Sequence, residues 1–207
     1  MAFYEEKILP GLLDLACSTR DVMALRAKIV PLARGRVLEV GIGSGHNLAL
    51  YDSGQVELVW GLEPSAGMRG RAQRNLARSA VEVRWLDLPG EQIPLEDNSV
   101  DTVLLTFTLC TIPDWRLALQ QMARVLKPGG KLLFCEHGRA PDVAVSRWQD
   151  RLNPLWKRLF GGCHLNRPIA DCLAEGGFAI EQLDSNYAEG MPRFAGYISM
   201  GQAVKGQ

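Results

Sequence analysis

The sequence has no excess of charge of either sign and no long apolar run. Its 23 lysines and arginines balance 23 aspartates and glutamates, so no strong electrostatic field attracts nucleic acid, which we do not expect as a partner. No apolar run approaches the roughly 18 residues of a membrane span, and the N-terminus is acidic where a signal peptide would be basic. We therefore expect a cytoplasmic protein whose contact with a membrane is at most peripheral.

The five cysteines also lack the spacing of a disulfide framework or of a metal motif. They are odd in number and scattered, and no C-x-x-C pair or mixed cysteine and histidine spacing connects them. This pattern is typical of reduced thiols, and it indicates neither disulfides nor a zinc site. The 207 residues contain no internal repeat, so we predict a single domain over residues 1–207.

The most informative stretch is VLEVGIGSGHN at residues 37–47, an apolar run that ends in three alternating glycines. It predicts a buried strand, a tight loop and the start of a helix. Gly41, Gly43 and Gly45 tolerate positive φ and have no Cβ, so a ligand can approach the backbone while the next helix offers free N–H groups. The G-x-G-x-G spacing is too tight for the dinucleotide fingerprint, and it indicates a different nucleotide-type ligand.

Apolar and amphipathic segments alternate after this loop, and they predict an α/β fold. Strands are predicted at residues 37–40, 56–64, 81–87, up to 105, 131–137, 178–183 and 195–204. Helices are predicted at residues 23–30, 46–51, 68–78, 115–126, 146–160 and 169–175. We expect Pro10 to bend or interrupt the N-terminal helix and Pro154 to break the helix at 146–160. Residues 127–130, Lys-Pro-Gly-Gly, should form a sharp turn.

Several of these motifs, in this order, resemble the class I S-adenosylmethionine-dependent methyltransferases. The matching segments are E-V-G-I-G-S-G at 39–45, L-E-D-N-S-V-D at 95–101 and R-V-L-K-P-G-G at 124–130. The resemblance extends over residues 37–205. It implies a Rossmann-like seven-stranded, mostly parallel sheet with one antiparallel strand and helices on both faces. It also implies S-adenosyl-L-methionine as methyl donor, S-adenosyl-L-homocysteine as product, and no metal.

The resemblance places the cofactor at the carboxyl ends of the strands. Glu39 and the glycines would hold its methionine part, Glu63 its ribose, and the loop after the third strand its adenine. The expected cofactor-binding residues are Glu39, Gly41, Gly43, Gly45, Asn47, Glu63, Pro64, Asp87, Gly90, Glu91, Thr106 and Thr108. His137 and His164 are the candidate catalytic bases, although either could instead be held by structural hydrogen bonds.

Two segments outside the predicted sheet are expected to cover the site. Residues 1–30 would form a helical cap that brings Tyr4 or Arg20 towards the cofactor, and residues 141–168 would form a lid on the substrate side. Apolar and basic residues alternate at helical spacing in the lid. This pattern is typical either of a lid packed on the domain or of a helix lying on a membrane surface.

More narrowly, the chain looks like the animal thiol methyltransferases of the methyltransferase-like group. It shares T-L-C at 108–110, E-H at 136–137 and G-C-H-L-N-R at 162–167 with them, but it carries Glu63 in place of their aspartate. We also expect it to differ from them in having no apolar N-terminal anchor. This resemblance implies a small-molecule acceptor, preferably a thiol. Phospholipid N-methylation, quinone-type C- or O-methylation and a non-catalytic cofactor-binding module stay open as alternatives.

Overall fold

The computed structural model describes Tyr4 and residues 8–206. Seven strands form one sheet in the order β3-β2-β1-β4-β5-β7-β6. The strands are β1 Gly35–Val40, β2 Val56–Leu62, β3 Val83–Leu86, β4 Val100–Thr106, β5 Leu126–His137, β6 Phe178–Tyr187 and β7 Tyr197–Lys205. Strands β1 to β5 pair in parallel, and β7 is antiparallel to both of its neighbours. The predicted sheet with one reversed strand is therefore confirmed.

Among the described residues, six α-helices surround the sheet. They are α1 Leu9–Cys17, α2 Arg20–Ile29, α3 Ala66–Leu76, α4 Trp115–Val125, α5 Val143–Leu159 and α6 Ile169–Glu175. Ser65 is the N-cap of α3, because its side chain accepts a hydrogen bond from the N–H of Met68. Within the described part of the chain, every helix is too short or too polar to cross a bilayer.

Alternate residues of the central strands divide the core into two clusters on opposite faces of the sheet. Leu38 and Phe134 pack with residues of α4 and α6, whereas Val37 and Leu133 pack with Ile29 of α2. Strands covered on both faces need near-continuous apolar runs, which is why these segments read as buried strands in the sequence. Helices thus lie on both faces, as predicted.

The strand order places a switch point between β1 and β4. The chain leaves β1 towards β2 on one side and later returns to form β4 on the other side of β1. The loops at the carboxyl ends of β1 and β4 therefore diverge and leave a crevice between them, which is where open α/β sheets bind ligands.

The prediction of a helix at 46–51 was wrong, because these residues form turns. The N–H of Leu48 donates to the carbonyl of Gly45 at 3.1 Å, and the N–H of Leu50 donates to that of Asn47 at 2.9 Å. Both bonds span three residues, as in tight turns. The side chain of Asn47 is fully buried and hydrogen-bonded within the domain, which holds the chain in this conformation.

Pro10 lies in the first turn of α1, where its missing N–H costs nothing, and α1 begins at Leu9. Two predictions at other prolines were wrong. Helix α5 continues through the exposed Pro154, because Gln149 before it donates to the carbonyl of Leu165 and Trp156 after it packs against Phe194. Residues 127–130 lie inside β5, where Gly129 has φ +77° and the pairing with β4 shifts register, so they form an irregularity within one long strand.

Candidate functional site

An open cavity of about 1580 Å³ lies at the switch point. Its floor is the glycine loop after β1 and the segment 106–108 at the end of β4, and one side is the segment 63–68 after β2. Residues of α1 and of the carboxyl end of α5 form the rest of its wall. The parallel strands therefore direct three separate loops into one crevice.

The glycine loop presents bare backbone to this cavity. Gly41 and Gly43 line it with φ of +71° and +58°, a region that residues with a Cβ rarely adopt. A Cβ at Gly41 would lie 2.3 Å from the side chain of Thr108. Glycine is thus required at position 41 both for the backbone conformation and for the close approach of the loop after β4.

Glu63 follows the last residue of β2, and its carboxylate is held at the cavity wall. One oxygen accepts a hydrogen bond from the N–H of Gly43 at 3.1 Å, and the other accepts one from the N–H of Ser65 at 2.8 Å. A carboxylate has roughly four acceptor positions, so about two stay free for hydroxyl groups of a ligand. Burial raises the pKa of Glu63, although these two backbone hydrogen bonds act in the opposite direction.

A buried polar network supports the cavity floor, and it starts from Arg26 of α2. Nη1 of Arg26 donates to Oδ1 of Asn47 at 2.9 Å and to Oγ1 of Thr106 at 2.6 Å. The amide of Asn47 donates to Glu39 at 2.8 Å, and the hydroxyl of Tyr51 donates to the other oxygen of Glu39 at 2.7 Å. Arg26 also lines the cavity, so this network connects the ligand space to the end of β1.

Glu39 titrates near neutrality inside this network. Burial raises its pKa to about 7, although hydrogen bonds from Tyr51 and Asn47 and the charge of Arg26 favour the ionised form. Glu39 is 1% exposed and does not line the cavity. Its contacts are therefore those of a residue that orients Asn47 and Tyr51.

The residues after β4 adopt an unusual conformation at the cavity. Phe107 has φ +56°, which is strained for a bulky side chain, and the guanidinium of Arg26 lies 5.2 Å from the centre of its ring. The N–H of Thr108 donates to the buried Glu136 at 2.7 Å, which fixes the turn. Such outliers concentrate at ligand sites, and this one lines the cavity.

Half of the expected cofactor residues line the cavity. These six are Gly41, Gly43, Glu63, Pro64, Thr106 and Thr108. Glu39 and Asn47 lie behind its floor in the polar network, and Gly45 turns the chain with φ +76° against Leu48 without lining the cavity. The structure thus brings the first two ligand loops together as expected, while the roles of the individual side chains stay predictions.

The loop after β3, expected to hold adenine, does not line the cavity. Asp87 is exposed, and an oxygen of Glu91 accepts a hydrogen bond from the N–H of Asp114 at 3.1 Å. Gly90 is buried, and a Cβ there would lie 3.4 Å from Val40 at the end of β1. This loop therefore packs on the tip of β1 and on the start of α4.

The two candidate bases also lie outside the cavity lining. Nε2 of His137 is 3.2 Å from Sγ of Cys163, and His137 is 8% exposed. Burial and the charges of Arg167 and Lys157 lower the pKa of His164 to about 4, so this imidazole is neutral at physiological pH. The structure thus places His137 next to a thiol, and neither histidine contributes to the wall of the crevice.

The cap and the lid meet over the mouth of the cavity. The hydroxyl of Tyr4 donates to the carbonyl of Leu159 at 2.6 Å, and Asp14 lies 2.9 Å from His46 of the glycine loop. Tyr4 lines the cavity as expected, whereas Arg20 does not. Residues 1–3 and 5–7 of the cap predicted over residues 1–30 lie outside the described residues.

Sequence reasoning missed Arg26 and Tyr51, and it did not predict the strained backbone of Phe107. A signal exists for Arg26, because Val22, Arg26 and Ile29 share one face of α2 and all three are buried. A single charge on an apolar helix face is costly unless it is paired, so such a residue is a candidate for a buried polar role. No comparable signal marks Phe107, since its φ depends on contacts with distant strands.

Comparisons with known proteins agree with this geometry. A sequence profile described as a methyltransferase domain matches residues 38–134. The human thiol S-methyltransferase TMT1B is 34% identical over 179 residues, which are 84% of this chain and 72% of that protein. Rat TMT1B is 35% identical over 153 residues, and this alignment spans 72% of the chain and 62% of the rat protein.

One solved structure has a similar fold across nearly the whole chain. It is a SAM-dependent methyltransferase from Thermotoga maritima, with a TM-score of 0.67 and 20% sequence identity. The match covers 99% of this chain and 98% of that one. At 20% identity this likeness supports the fold alone. The assignment to a family rests on the relatives found by sequence.

Proposed function

We propose that this chain, which belongs to the S-adenosylmethionine-dependent methyltransferases, transfers a methyl group to the sulfur of a small thiol. The family establishes the methyl donor. The choice of a thiol depends on one observation: the human relative aligned over 84% of this chain is a thiol S-methyltransferase. The residues of the crevice are consistent with both parts of the proposal.

The cavity has the groups that the donor requires. The bare backbone at Gly41 and Gly43 leaves room for its methionine part. The free acceptor positions of Glu63 suit two ribose hydroxyls. Arg26 is buried, and its Nε has no hydrogen-bond partner among the described residues, so its guanidinium suits the donor carboxylate.

Bound S-adenosylmethionine supplies a methyl group that its sulfonium already activates. The protein then has to align the acceptor and exclude water, and correct alignment alone contributes several kcal/mol, up to about 7–11 in the most favourable cases. Leu9, Leu13, Leu155 and Leu159 line the cavity with apolar side chains, which would limit the water around a bound acceptor. A thiol needs little help to ionise, since its ordinary pKa is about 8.5.

A transfer assay with labelled donor tests the proposal. Purified protein is mixed with donor and with single acceptors from four classes: small alkyl and aryl thiols, amines, phenols, and phosphatidylethanolamine in vesicles. We expect labelled thioether from thiols and little product from the other classes in a single turnover. Faster transfer to an amine, a phenol or the lipid would contradict the choice of a thiol.

A phospholipid headgroup is the second candidate acceptor, because exposed apolar side chains surround the cavity mouth. On α1, Leu12 and Leu15 are exposed, and on α5, Trp148, Leu155 and Leu159 are exposed. An amphipathic surface of this kind is typical of a helix that lies in a membrane interface. Binding of this surface to a membrane would place the cavity at the layer of lipid headgroups.

Vesicle co-sedimentation distinguishes the two candidates. If the lipid is the acceptor, the protein binds anionic vesicles, and charge reversal at Arg147, Arg151, Lys157 and Arg158 abolishes binding. If the acceptor is a soluble thiol, charge reversal at Arg147 and Arg151 alone, which lie outside the cavity lining, retains full transfer to that thiol. Charge reversal at Arg74 and Arg78, near the end of α3, is the matched control.

A further inference from the structure

Three ligand-type side chains converge behind the part of the cavity wall that Thr111 and Gly162 form. Cys110 follows β4, His137 ends β5 and Cys163 follows α5. Their Sγ, imidazole nitrogen and Sγ atoms all lie within 4.8 Å of one another, and all three residues are buried. The residues are far apart in the sequence, which is why the spacing of cysteines and histidines predicted no metal site.

Two separations within this cluster are close to those of a tetrahedral metal site. Sγ of Cys110 lies 3.7 Å from Sγ of Cys163, which lies 3.2 Å from Nε2 of His137. Zinc bonds of about 2.3 Å to sulfur and about 2.0 Å to nitrogen put tetrahedral ligand atoms roughly 3.5–3.8 Å apart. Two thiolates and a neutral imidazole would need only small adjustments to bind one such ion.

The surroundings hold the ligands in place. Oxygens of the buried Glu136 accept hydrogen bonds from the N–H groups of Thr108 and Cys110, and Arg167 donates to the carbonyl of Ile112 at 2.8 Å. The loop that carries Cys110 is therefore fixed at both ends. The indole N–H of Trp156 donates a hydrogen bond to Sγ of Cys163, with Nε1 at 3.4 Å. Such a donor stabilises a sulfur that carries negative charge.

We propose that Cys110, His137 and Cys163 bind one thiophilic divalent cation, for which Zn²⁺ is the best fit, and that its fourth coordination position takes the acceptor thiol. Three protein ligands leave one position of a tetrahedral ion open, and a thiolate is a ligand that Zn²⁺ favours. This second part rests on the proposed function. The bound ion would hold the acceptor as its nucleophilic thiolate, a role that no group of the cavity wall fills.

The position of the cluster agrees with this role. Thr111 and Gly162, the chain neighbours of Cys110 and Cys163, both line the cavity that also contains Glu63 and the glycine loop. When the acceptor binds, its S–H bond breaks, the proton goes to solvent and a sulfur–metal bond forms. In the transfer step this sulfur forms its bond to the methyl carbon as the donor's sulfur–methyl bond breaks.

Metal binding is tested without any activity assay. The protein is stripped with a chelator, dialysed and titrated separately with Zn²⁺ against a chromophoric indicator and with Co²⁺. We expect about one equivalent per chain, a cobalt spectrum with thiolate charge-transfer bands, and loss of both when the chelator returns. An absence of stoichiometric uptake by the reduced, folded protein would overturn the proposal, as would a Cys110–Cys163 disulfide that persists under reducing conditions.

Single substitutions assign the ligands. Cys110→Ser, Cys163→Ser and His137→Gln should each weaken Zn²⁺ binding by more than about 100-fold. Cys172→Ser changes a buried cysteine outside the cluster and should leave binding unchanged. Circular dichroism identifies variants that do not fold, and the titration of the wild-type protein decides the proposal independently of them. Equal binding by the wild type and a folded Cys110→Ser variant would contradict it.

A small aryl thiol tests the fourth position. Added to the cobalt-loaded protein, it should shift the charge-transfer bands, whereas the matching phenol should not. A spectrum that the thiol leaves unchanged would overturn the acceptor part of the proposal. A shifted spectrum with no methyl transfer to any thiol would instead contradict the proposed function, so the two failures are distinguishable.

Discussion

Glu63 is the residue that most directly connects the structure to donor binding. Its carboxylate lines the cavity, and two backbone N–H groups hold it there. We expect Glu63→Ala to weaken donor binding by about 2–3 kcal/mol, roughly 30- to 150-fold, because charge-assisted hydrogen bonds to hydroxyls are lost. Calorimetric titration with the donor measures this effect. Glu57→Ala, at an exposed position of β2, should bind as tightly as the wild type, and equal binding by the Glu63 variant would remove it from the site.

Glu39 makes the stability of the fold depend on pH. Burial raises its pKa from 4.5 to about 7, so the folded state holds a proton that the unfolded chain releases. Stability should therefore fall by up to about 3 kcal/mol between pH 4.5 and pH 7, and this contribution should not change further above pH 7. Glu39→Gln should remove that part of the slope in urea unfolding. Parallel profiles for the variant and the wild type would contradict a buried, protonated Glu39.

Single residues also show what sequence reasoning can and cannot find. Glu63 was recognisable because it follows an apolar strand in a known motif, and the structure places it at the cavity. Arg26 and Cys163 act through partners from other elements, at positions 106 and 137. A local sequence pattern does not encode such contacts, so the contacts of these two residues were recognised only in the folded structure.

At the scale of elements, the glycine loop depends on its contact with the loop after β4. Gly41→Ala should destabilise the fold by more than about 1 kcal/mol, because φ is +71° and the new Cβ would clash with Thr108. Gly70→Ala is the matched control, since Gly70 lies exposed inside α3 with nothing within 4 Å of a Cβ.

The control should change stability in the opposite direction. Alanine is favoured over glycine inside a helix by about 0.5–1 kcal/mol, so Gly70→Ala should stabilise the protein. Urea denaturation of both variants gives the two differences. A Gly41→Ala protein as stable as the wild type would show that the close packing of Gly41 against Thr108 is not required.

Elements were predictable where local pattern and tertiary structure agree. Helix α6 has the predicted bounds, and β1, β2, β3, β6 and β7 start within two residues of their predicted positions, whereas β5 starts five residues early. The failures have physical causes: side-chain hydrogen bonds of Asn47 hold residues 46–51 in turns, and anchoring on both sides carries α5 through Pro154. In each case a contact with another part of the chain outweighs the local preference.

For the whole molecule, the order of motifs was enough to predict the fold. A G-x-G-x-G loop, an acid after the second strand and apolar strands at regular intervals allow few arrangements, because parallel strands need crossover connections of one hand. The closure of the crevice by α1 and α5 depends on long-range contacts such as that between Tyr4 and Leu159. The shape of the acceptor side therefore needed the structure.

The central claim is that a sulfonium nucleoside binds in the crevice above β1, β2 and β4. Isothermal titration of the ligand-free protein with S-adenosylmethionine, and separately with S-adenosylhomocysteine, tests it most directly. We predict saturable binding of both at about one site per chain, weakened by Glu63→Ala and retained by Glu57→Ala. Failure of the folded wild-type protein to bind either molecule would contradict the account.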